Sequence, residues 1–346
     1  MSDMSGPLEL GLDTFGDVTE RDVGTRESQA QVIRNVIEEG VFADQNGVDV
    51  FGVGEHHRDD FAVSAPEIVL AAIAGQTSRV HLASAVTVLS SDDPVRVFER
   101  FSSLNAASYG RAEVILGRGS FTESFPLFGY DLSDYEVLFE EKLALFVELL
   151  RSQPVTWQGT TRASLTDQRV FPTLDAPLTT WVGVGGSPES VARAARFGLP
   201  LTLAIIGGNP LRFAPLVEYY RKHLETRGFE QLPVAVHSPG YIADTDDAAG
   251  DELFPYMKQN RDRIGAERGW GPMSRESFDA EVTNGSLYVG SPETVARKIA
   301  ATANALGINR FDLKYSAGAM PHDQLMRCIE LYGSKVIPMV RELLES

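Results

Sequence analysis

Short apolar stretches alternate with longer amphipathic stretches along almost the whole chain. The short stretches lack a strict alternation of apolar and polar residues, which is typical of strands buried on both faces in a parallel sheet covered by helices. Eight such strands are predicted, at residues 8–12, 48–53, 80–89, 112–116, 179–184, 201–206, 234–242 and 311–315. Each is followed by a predicted helix, at residues 28–47, 66–77, 94–108, 133–151, 188–197, 210–227, 292–306 and 322–344.

Strand–helix pairs in this order predict the α/β class, as a closed (β/α)8 TIM barrel. We expect a single domain over residues 1–346, with insertions after strands 4 and 7. Turn signals and β-branched residues predict a hairpin-like insertion at 155–171, and a helix at 244–268 belongs to a longer excursion that ends at 287–289. An open doubly wound sheet is the alternative, but no GxGxxG dinucleotide fingerprint follows an early strand.

Composition and charge narrow the class of function. The length of 346 residues suits a barrel with insertions. A formal net charge of −17 argues against nucleic acid or an anionic membrane as the main partner, and it favours an acidic enzyme that acts on small molecules. Cys328 is the only cysteine, so we expect core packing there, with no disulfide framework and no cysteine metal cluster. Residues 1–4 carry no leader pattern and no apolar run reaches membrane-spanning length, so a cytoplasmic protein is expected.

Titratable residues follow the second predicted strand, on the face where barrels place their chemistry. The strand runs into Gly54-Glu55-His56-His57. Because neighbouring side chains of a strand point to opposite faces, at most one of the two histidines is expected to face a given ligand. A solvated turn without chemistry is the alternative.

The third strand offers small side chains around Ala85, Val86 and Thr87. Small residues let a flat ring approach the backbone closely. They also fit the taper of a barrel, so the strand alone leaves both interpretations open.

The fourth strand ends in Gly117-Arg118-Gly119-Ser120. An arginine between two glycines can reach an anion, while the glycines let the backbone come close. Taken alone, this motif is equally consistent with a surface turn that carries a free arginine.

The fifth strand leads into Gly185-Gly186-Ser187-Pro188, in which Ser187 is predicted as an N-cap and Pro188 as the first helical residue. A glycine pair before a helix N-terminus exposes N–H groups to an anion that the helix dipole favours. The same cap recurs at 290–293. The first copy directly follows a barrel strand and has the extra glycine, so we place a phosphate there and interpret the second copy as a cap only.

Four segments in this order resemble the bacterial luciferase-like flavin monooxygenases: GEHH at 54–57, ASAVTVLSSDDPVRV at 83–97, GRGSFTESFPLFGYD at 117–131 and GGSPES at 185–190. The resemblance extends from residue 10 to about residue 340. It implies a (β/α)8 barrel that holds FMN at the C-terminal ends of its strands.

The resemblance also implies a role for each matching residue. His56 matches the active-site histidine and His57 its neighbour, which makes both catalytic candidates. A non-prolyl cis peptide beneath the flavin is expected at Ala85-Val86, and Arg118 is expected to bind the FMN phosphate. The implied cofactor-binding residues are Ala85, Val86, Thr87, Gly117, Arg118, Gly185, Gly186, Ser187 and Ser190, and no metal ligand is implied.

Two positions depart from luciferase itself. Gly117 replaces a cysteine beside the flavin, so no thiol chemistry is expected there. Ser190 replaces a phosphate-binding threonine and keeps a hydroxyl. These differences argue against light emission and leave the substrate open.

The implied reaction uses reduced FMN and oxygen to form a flavin C4a-(hydro)peroxide that oxygenates a small organic substrate. His56 would transfer a proton or stabilise the peroxyflavin, because imidazole titrates near working pH. No segment resembles a nicotinamide site, so FMNH2 is expected from a separate flavin reductase. Segments 121–130 and 269–286 are predicted lids.

Two other functions remain open at this point. A deazaflavin-dependent oxidoreductase would share the barrel but transfer hydride without oxygen, and a flavin-binding or storage protein would have no chemistry at all. Members of the family are commonly dimers, so a homodimer is expected, with the helices at 66–77 and 94–108 as the candidate interface.

Overall fold

The computed structural model describes residues 6–22, 24–119, 121–151, 153–269 and 271–345. Ser120 of the predicted arginine motif and the first residues, on which the absence of a leader pattern rests, lie outside these ranges. The strands are β1 (Glu9–Thr14), β2 (Glu20–Asp22), β3 (Thr25–Arg26), β4 (Val50–Val53), β5 (His81–Ser84), β6 (Thr87–Val88), β7 (Ala112–Gly117), β8 (Val155–Trp157), β9 (Leu165–Gln168), β10 (Thr179–Val184), β11 (Leu201–Ala204), β12 (Val234–Ile242), β13 (Tyr288–Gly290) and β14 (Arg310–Lys314).

Several helices begin after a serine N-cap that can be recognised in the sequence, such as Ser28, Ser187 and Ser291. They are α1 (Gln29–Gln45), α2 (Pro66–Ala74), α3 (Pro94–Ala107), α4 (Ser124–Phe128), α5 (Tyr135–Arg151), α6 (Pro188–Phe197), α7 (Ala214–Thr226), α8 (Asp246–Arg268), α9 (Arg275–Asn284), α10 (Pro292–Leu306), α11 (His322–Leu331) and α12 (Ile337–Glu345). In the described ranges, no helix is both long enough and apolar enough to cross a bilayer.

The main sheet closes on itself as a parallel barrel. Its order is β1, β4, β5, β7, β10, β11, β12 and β14, and β14 pairs with β1 to complete the ring. β5 and β6 share the third place, since both pair with β7. The predicted (β/α)8 barrel is therefore confirmed, and the C-terminal ends of its strands form one face, here called the barrel mouth.

Two separate groups of apolar side chains fill the fold. The larger one lies between the strands and the helices, whereas Ile115, Trp181 and Ala235 form a small cluster inside the barrel with Val86 against it. Below this cluster, Arg310 donates to Glu113 Oε2 at 2.6 Å, and Trp181 Nε1 donates to the same oxygen at 2.9 Å. These side chains fill the lower half of the barrel interior, so the base of the barrel is plugged.

Both predicted insertions are present. The segment after β7 contains α4, and the excursion after β12 contains α8, α9 and the short strand β13, which pairs with the end of β12. The hairpin predicted at 155–171 is the antiparallel pair β8–β9. Cys328 is buried in the core, as expected.

Three elements differ from the prediction. The third strand is broken into β5 and β6 on either side of Ala85-Val86, and a 3-10 turn, Leu89–Ser91, follows it. The last helix is interrupted by a π-helical turn at Tyr332–Val336. A small antiparallel pair, β2–β3, follows β1 where the sequence predicted only a connection.

Candidate functional site

The two neighbouring histidines after β4 face different surroundings, as the strand geometry predicted. The His56 ring contacts the rings of Phe15 and Phe61, with centroids 4.7 and 4.4 Å away. His57 Nε2 instead lies 2.9 Å from Glu55 Oε1, and its ring contacts Phe128. Only His56 therefore belongs to the aromatic group at the barrel mouth.

Burial among aromatic rings determines the charge of His56. Phe121 completes the group with an edge contact at 5.2 Å. Removal of the imidazole from water lowers the pKa of His56 to about 3, although the Asp17 carboxylate acts in the opposite direction. His56 is consequently neutral at physiological pH, with one ring nitrogen to donate and one to accept a hydrogen bond. The expectation that this imidazole titrates near working pH is wrong for the protein without a bound ligand.

This pKa predicts a pH-dependent contribution to stability. A histidine whose folded-state pKa lies near 3, against about 6.5 in an unfolded chain, stabilises the fold above pH 6.5 and loses that contribution as the pH falls. Between pH 7 and pH 5, the wild type should therefore lose about 1–2 kcal/mol of unfolding free energy more than His56→Gln. Urea unfolding at both pH values measures the difference. His223→Gln, on α7, serves as the control, and equal losses in all three proteins would contradict the prediction.

The third-strand segment forms one wall of the mouth. The peptide bond between Ala85 and Val86 is cis, at the predicted position. A Cβ at Gly117 would lie 2.5 Å from Val86 Cγ2, so only glycine fits beside this segment. The Thr87 side chain is buried and donates to Ser84 Oγ at 2.9 Å. The Thr87 hydroxyl is thus engaged within the segment, and the predicted role of Thr87 in cofactor binding stays a prediction.

Residues from six different parts of the barrel leave surface open at the mouth. Each of these residues lies in a barrel strand or shortly after one, and each is partly exposed. They are Phe15, His56, Ala85, Val86, Gly183, Ala204 and His237. A flat ring laid across them would cover apolar carbon and backbone, with polar groups only at its edges.

The fold brings the side chains of the predicted anion site into contact. Arg118 Nη2 donates to Ser190 Oγ at 3.1 Å, and Ser187 Oγ donates to the same oxygen at 3.0 Å while it accepts from Ser190 N–H at 3.2 Å. These groups surround the N-terminus of α6, where the helix dipole favours negative charge. We call Arg118, Ser187 and Ser190 the anion cradle.

Two glycines give access to the cradle. A Cβ at Gly185 would meet no atom within 4 Å, which marks open space, and Gly186 has φ +103, a conformation that other residues rarely adopt. Glu136 at present pairs with Arg118 and lies 2.8 Å from Arg193 Nη2. A carboxylate therefore already pairs with the arginine of the cradle.

Comparison with known proteins identifies the family of this chain. The profile of a family described as luciferase-like monooxygenase matches residues 14–310. The chain belongs to the luciferase-like monooxygenase family. Among its relatives, the N-acetyl-S-alkylcysteine monooxygenase of Bacillus subtilis is 29% identical over 303 residues, covering 84% of this chain and 88% of the relative.

Solved structures share the luciferase-like fold at lower identity. The oxygenating constituent of 3,6-diketocamphane monooxygenase from Pseudomonas putida, in complex with FMN, superposes with a TM-score of 0.74 at 20% identity, covering 96% of this chain and 99% of that one. An F420-dependent secondary alcohol dehydrogenase in complex with an F420-acetone adduct gives 0.76 at 16% identity, covering 97% and 99%. These structures support the fold of the luciferase-like chain.

Three charged residues lie together on one side of the mouth in this luciferase-like barrel. They are Arg58, Glu123 and Glu267, and we call them the roof. Arg58, after β4, donates to Glu123 Oε1 at 2.5 Å and to Glu267 Oε1 at 2.8 Å. Its guanidinium also lies 4.7 Å from the centre of the Phe121 ring. Arg58 thereby joins the predicted lid segment 121–130 to the C-terminal end of α8.

The second predicted lid, segment 269–286, contacts another part of the rim. Its helix α9 carries Glu281, which accepts from Gly208 N–H at 3.0 Å in the turn after β11. The first predicted lid contacts His56 through the ring of Phe121, whereas the end of α8 reaches Arg58 through Glu267. The sequence did not single out the end of α8. Lid motion of either segment stays a prediction.

The sequence analysis did not identify a second charged group near His56, which Asp17 and Lys314 form. Lys314, on β14, donates to Asp17 Oδ2 at 2.8 Å, and Ser316 Oγ donates to the same oxygen at 2.6 Å. Burial alone would raise the pKa of Asp17, but Lys314 and these hydrogen bonds hold it below its ordinary value. The polar alternation Arg310, Asp312, Lys314 was a visible signal that β14 carries charge into the barrel.

No group of three or more His, Cys, Asp or Glu side chains suited to a metal ion occurs in the part of the chain that the structure describes. His57 lines a different cleft of about 310 Å³, together with Glu55, Phe128 and Tyr130. The predicted catalytic role of His57 stays a prediction, and the structure separates it from the group around His56.

Proposed function

We propose that this luciferase-like protein is a flavin-dependent monooxygenase that uses reduced FMN and molecular oxygen to oxygenate a small organic substrate. The observation that carries the proposal is the anion cradle next to an apolar, partly open barrel mouth. The cradle fits a phosphate, and the mouth fits a flat ring whose edges need few polar partners.

The residues present fit the phosphate of FMN. The fork of Arg118 can grip two oxygens of a phosphate, and Ser187 and Ser190 add hydroxyl donors beside exposed backbone at Gly185 and Gly186. When bound, the flavin supplies the redox chemistry, and the protein supplies orientation and exclusion of water.

The aromatic group around His56 defines what this chain contributes. Phe15, Phe61 and Phe121 keep the imidazole neutral and limit the access of water. His56 can then share a hydrogen bond at a fixed position, and negative charge that develops on a bound molecule beside it would raise its low pKa enough for the ring to take up and return a proton. The protein binds and orients the flavin and shields it from water. A small organic molecule enters between the mouth and the roof.

The source of reducing equivalents is inferred from the sequence. No segment of the sequence resembles a nicotinamide site. We therefore propose that a separate flavin reductase supplies the reduced FMN, as the resemblance implied.

The test is a cofactor titration followed by oxygen uptake. We expect the protein to bind FMN and, when supplied with reduced FMN and candidate organic substrates, to consume oxygen in a substrate-dependent manner. The F420-dependent neighbour provides the strongest alternative. Preferential binding of F420 with hydride transfer in the absence of oxygen would replace our proposal, and FMN binding without turnover of any kind would indicate a storage protein.

We further propose that the protein is a homodimer, with α2 and α3 at the interface. Ile68 on α2 is 66% exposed and would be covered by a second copy. Light scattering at micromolar concentration should give the mass of two chains, and Ile68→Asp should shift it to one chain. Leu211→Asp, at an exposed position after β11, should leave the dimer intact. A monomeric wild type would refute the proposal.

A further inference from the structure

His237 is an interior histidine that the predicted site does not include. It lies on β12, in register with Ala204 of β11 and Asp312 of β14. Ala235, two residues earlier, belongs to the cluster inside the barrel, so the His237 side chain also points inward. Its side chain is nevertheless 14% exposed. An inward side chain above a plugged barrel base is reached through the barrel mouth.

Asp13 fixes the orientation of this ring. His237 Nδ1 lies 2.7 Å from Asp13 Oδ2, and the Asp13 side chain is only 2% exposed. The second carboxylate oxygen, Oδ1, is buried without a hydrogen-bond partner among the described residues. Because Nδ1 is engaged with Asp13, Nε2 is the nitrogen that remains for a ligand.

Charges on two strands, β1 and β14, act on His237. Burial opposes a charged ring, but Asp13 on β1 and Asp312 on β14 together raise the pKa of His237 above its ordinary value, against the effect of Lys314. A protonated imidazole donates from both nitrogens. The raised pKa of His237 favours a second N–H donor on this ring, in a site where His56 is a neutral imidazole.

The two histidines approach the same aromatic ring. Phe15 lies 4.7 Å from His56 and 6.0 Å from His237, measured between ring centroids, and it is nearly parallel to His237. Titratable groups in one site whose surroundings push them to opposite protonation states are a frequent mark of separate functional roles. Here the two roles would be exchange of a proton and attraction of negative charge.

We propose that His237, oriented by Asp13, binds a negatively charged acceptor atom at the barrel mouth through its Nε2–H. Two bound molecules can present such an atom: the ring of reduced FMN, which carries negative charge near N1, or a substrate with a carboxylate or similar anion. His237 is then a ligand-binding residue, and Asp13 is a positioning residue. The inference rests on the proposed FMN site.

The experiment compares two redox states of one cofactor. Oxidised and dithionite-reduced FMN are titrated anaerobically into the wild type, His237→Gln and Asp13→Asn, with His223→Gln on α7 as the matched control. In a second arm, acetate and benzoate are titrated into protein loaded with oxidised FMN, and the flavin absorbance is followed. Melting temperatures show which variants fold.

We expect His237→Gln to weaken binding of reduced FMN by about 10- to 150-fold, the scale of one hydrogen bond to a charged group, and to change oxidised FMN binding by less than about threefold. In the wild type, the preference for reduced FMN should fall as the pH rises through the raised pKa of His237. Asp13→Asn should move that loss to lower pH. A purely structural role would change both redox states equally and would not shift the pH midpoint.

The second arm identifies the source of the anion. Loss of benzoate or acetate binding in His237→Gln, with both FMN affinities unchanged, would assign the residue to an anionic substrate. Unchanged affinity for reduced FMN and for both carboxylates would overturn the inference. If the wild type binds FMN in neither state, the proposed function fails first, and that result is distinct from failure of His237 alone.

Discussion

Turnover of His56→Gln should fall by about 10²- to 10⁴-fold, the usual contribution of a positioned acid or base. Glutamine can share a hydrogen bond, but it cannot accept and return a proton. FMN affinity should change by less than about threefold, because the anion cradle lies on other strands. Substrate-dependent oxygen uptake and FMN titration on the same preparation measure the two effects.

Glutamine is a better replacement here than alanine. His56 fills the space between Phe15, Phe61 and Phe121. Alanine would leave a void among these rings, and the loss of packing would then mix stability with chemistry. Near-normal turnover in a folded, FMN-binding His56→Gln would exclude a proton-transfer role.

Two further variants make the result specific. His57→Gln alters the neighbouring histidine, which pairs with Glu55 and lies outside the aromatic group. A smaller effect there would assign the proton transfer to His56, whereas a larger one would favour His57 as the catalytic histidine. His223→Gln, on α7, controls for the chemical change itself.

The barrel was predictable because its signals are local. Strand-length apolar runs, N-caps and helix-ending glycines each lie within a few residues, and their order alone favours eight parallel strands. The break in the third strand was not predictable in this way. Residues 80–89 are almost uniformly apolar or β-branched, and nothing in that run marks where pairing with β7 shifts from β5 to β6.

The sequence predicted which strand ends carry the candidate site residues, and their roles stay predictions. His56, Arg118 and Ser187 follow strands directly, so the shared face of a barrel brings them to one side. The Asp13–His237 pair joins strands that are 224 residues apart in sequence. Such a contact depends on barrel closure and strand register, which no local pattern reveals. In the sequence, Asp13 and His237 each stand as a polar residue within a mostly apolar stretch.

Glu136 illustrates another limit of the sequence. Its place in the first turn of an amphipathic helix is ordinary for an acidic residue, because negative charge favours helix N-termini. Only the packing of α5 against the cradle shows that it contacts Arg118 and Arg193. The sequence therefore predicted the arginine of the cradle but not the carboxylate that competes for it.

Arg118→Ala should weaken FMN binding by about 1.5–3 kcal/mol, the scale of a hydrogen bond to a charged group, which is about 10- to 150-fold in Kd. Riboflavin has the same ring without the phosphate, so its affinity should change little in the same variant. The difference between the two ligands isolates the contact between Arg118 and the phosphate. Fluorescence titration with FMN and riboflavin measures both affinities, with Arg227→Ala at the end of α7 as the control.

Glu136→Gln tests the same site in the opposite direction. In the free protein, Arg118 pairs with Glu136, so a phosphate must displace this carboxylate before it gains the full interaction. Removal of its charge should strengthen FMN binding, but only by up to about fivefold, because exposed ion pairs are worth less than about 1 kcal/mol. Riboflavin should again be unaffected. Equal FMN affinity in the wild type, Arg118→Ala and Glu136→Gln would show that the phosphate binds elsewhere, since both variants change the charge that the cradle presents.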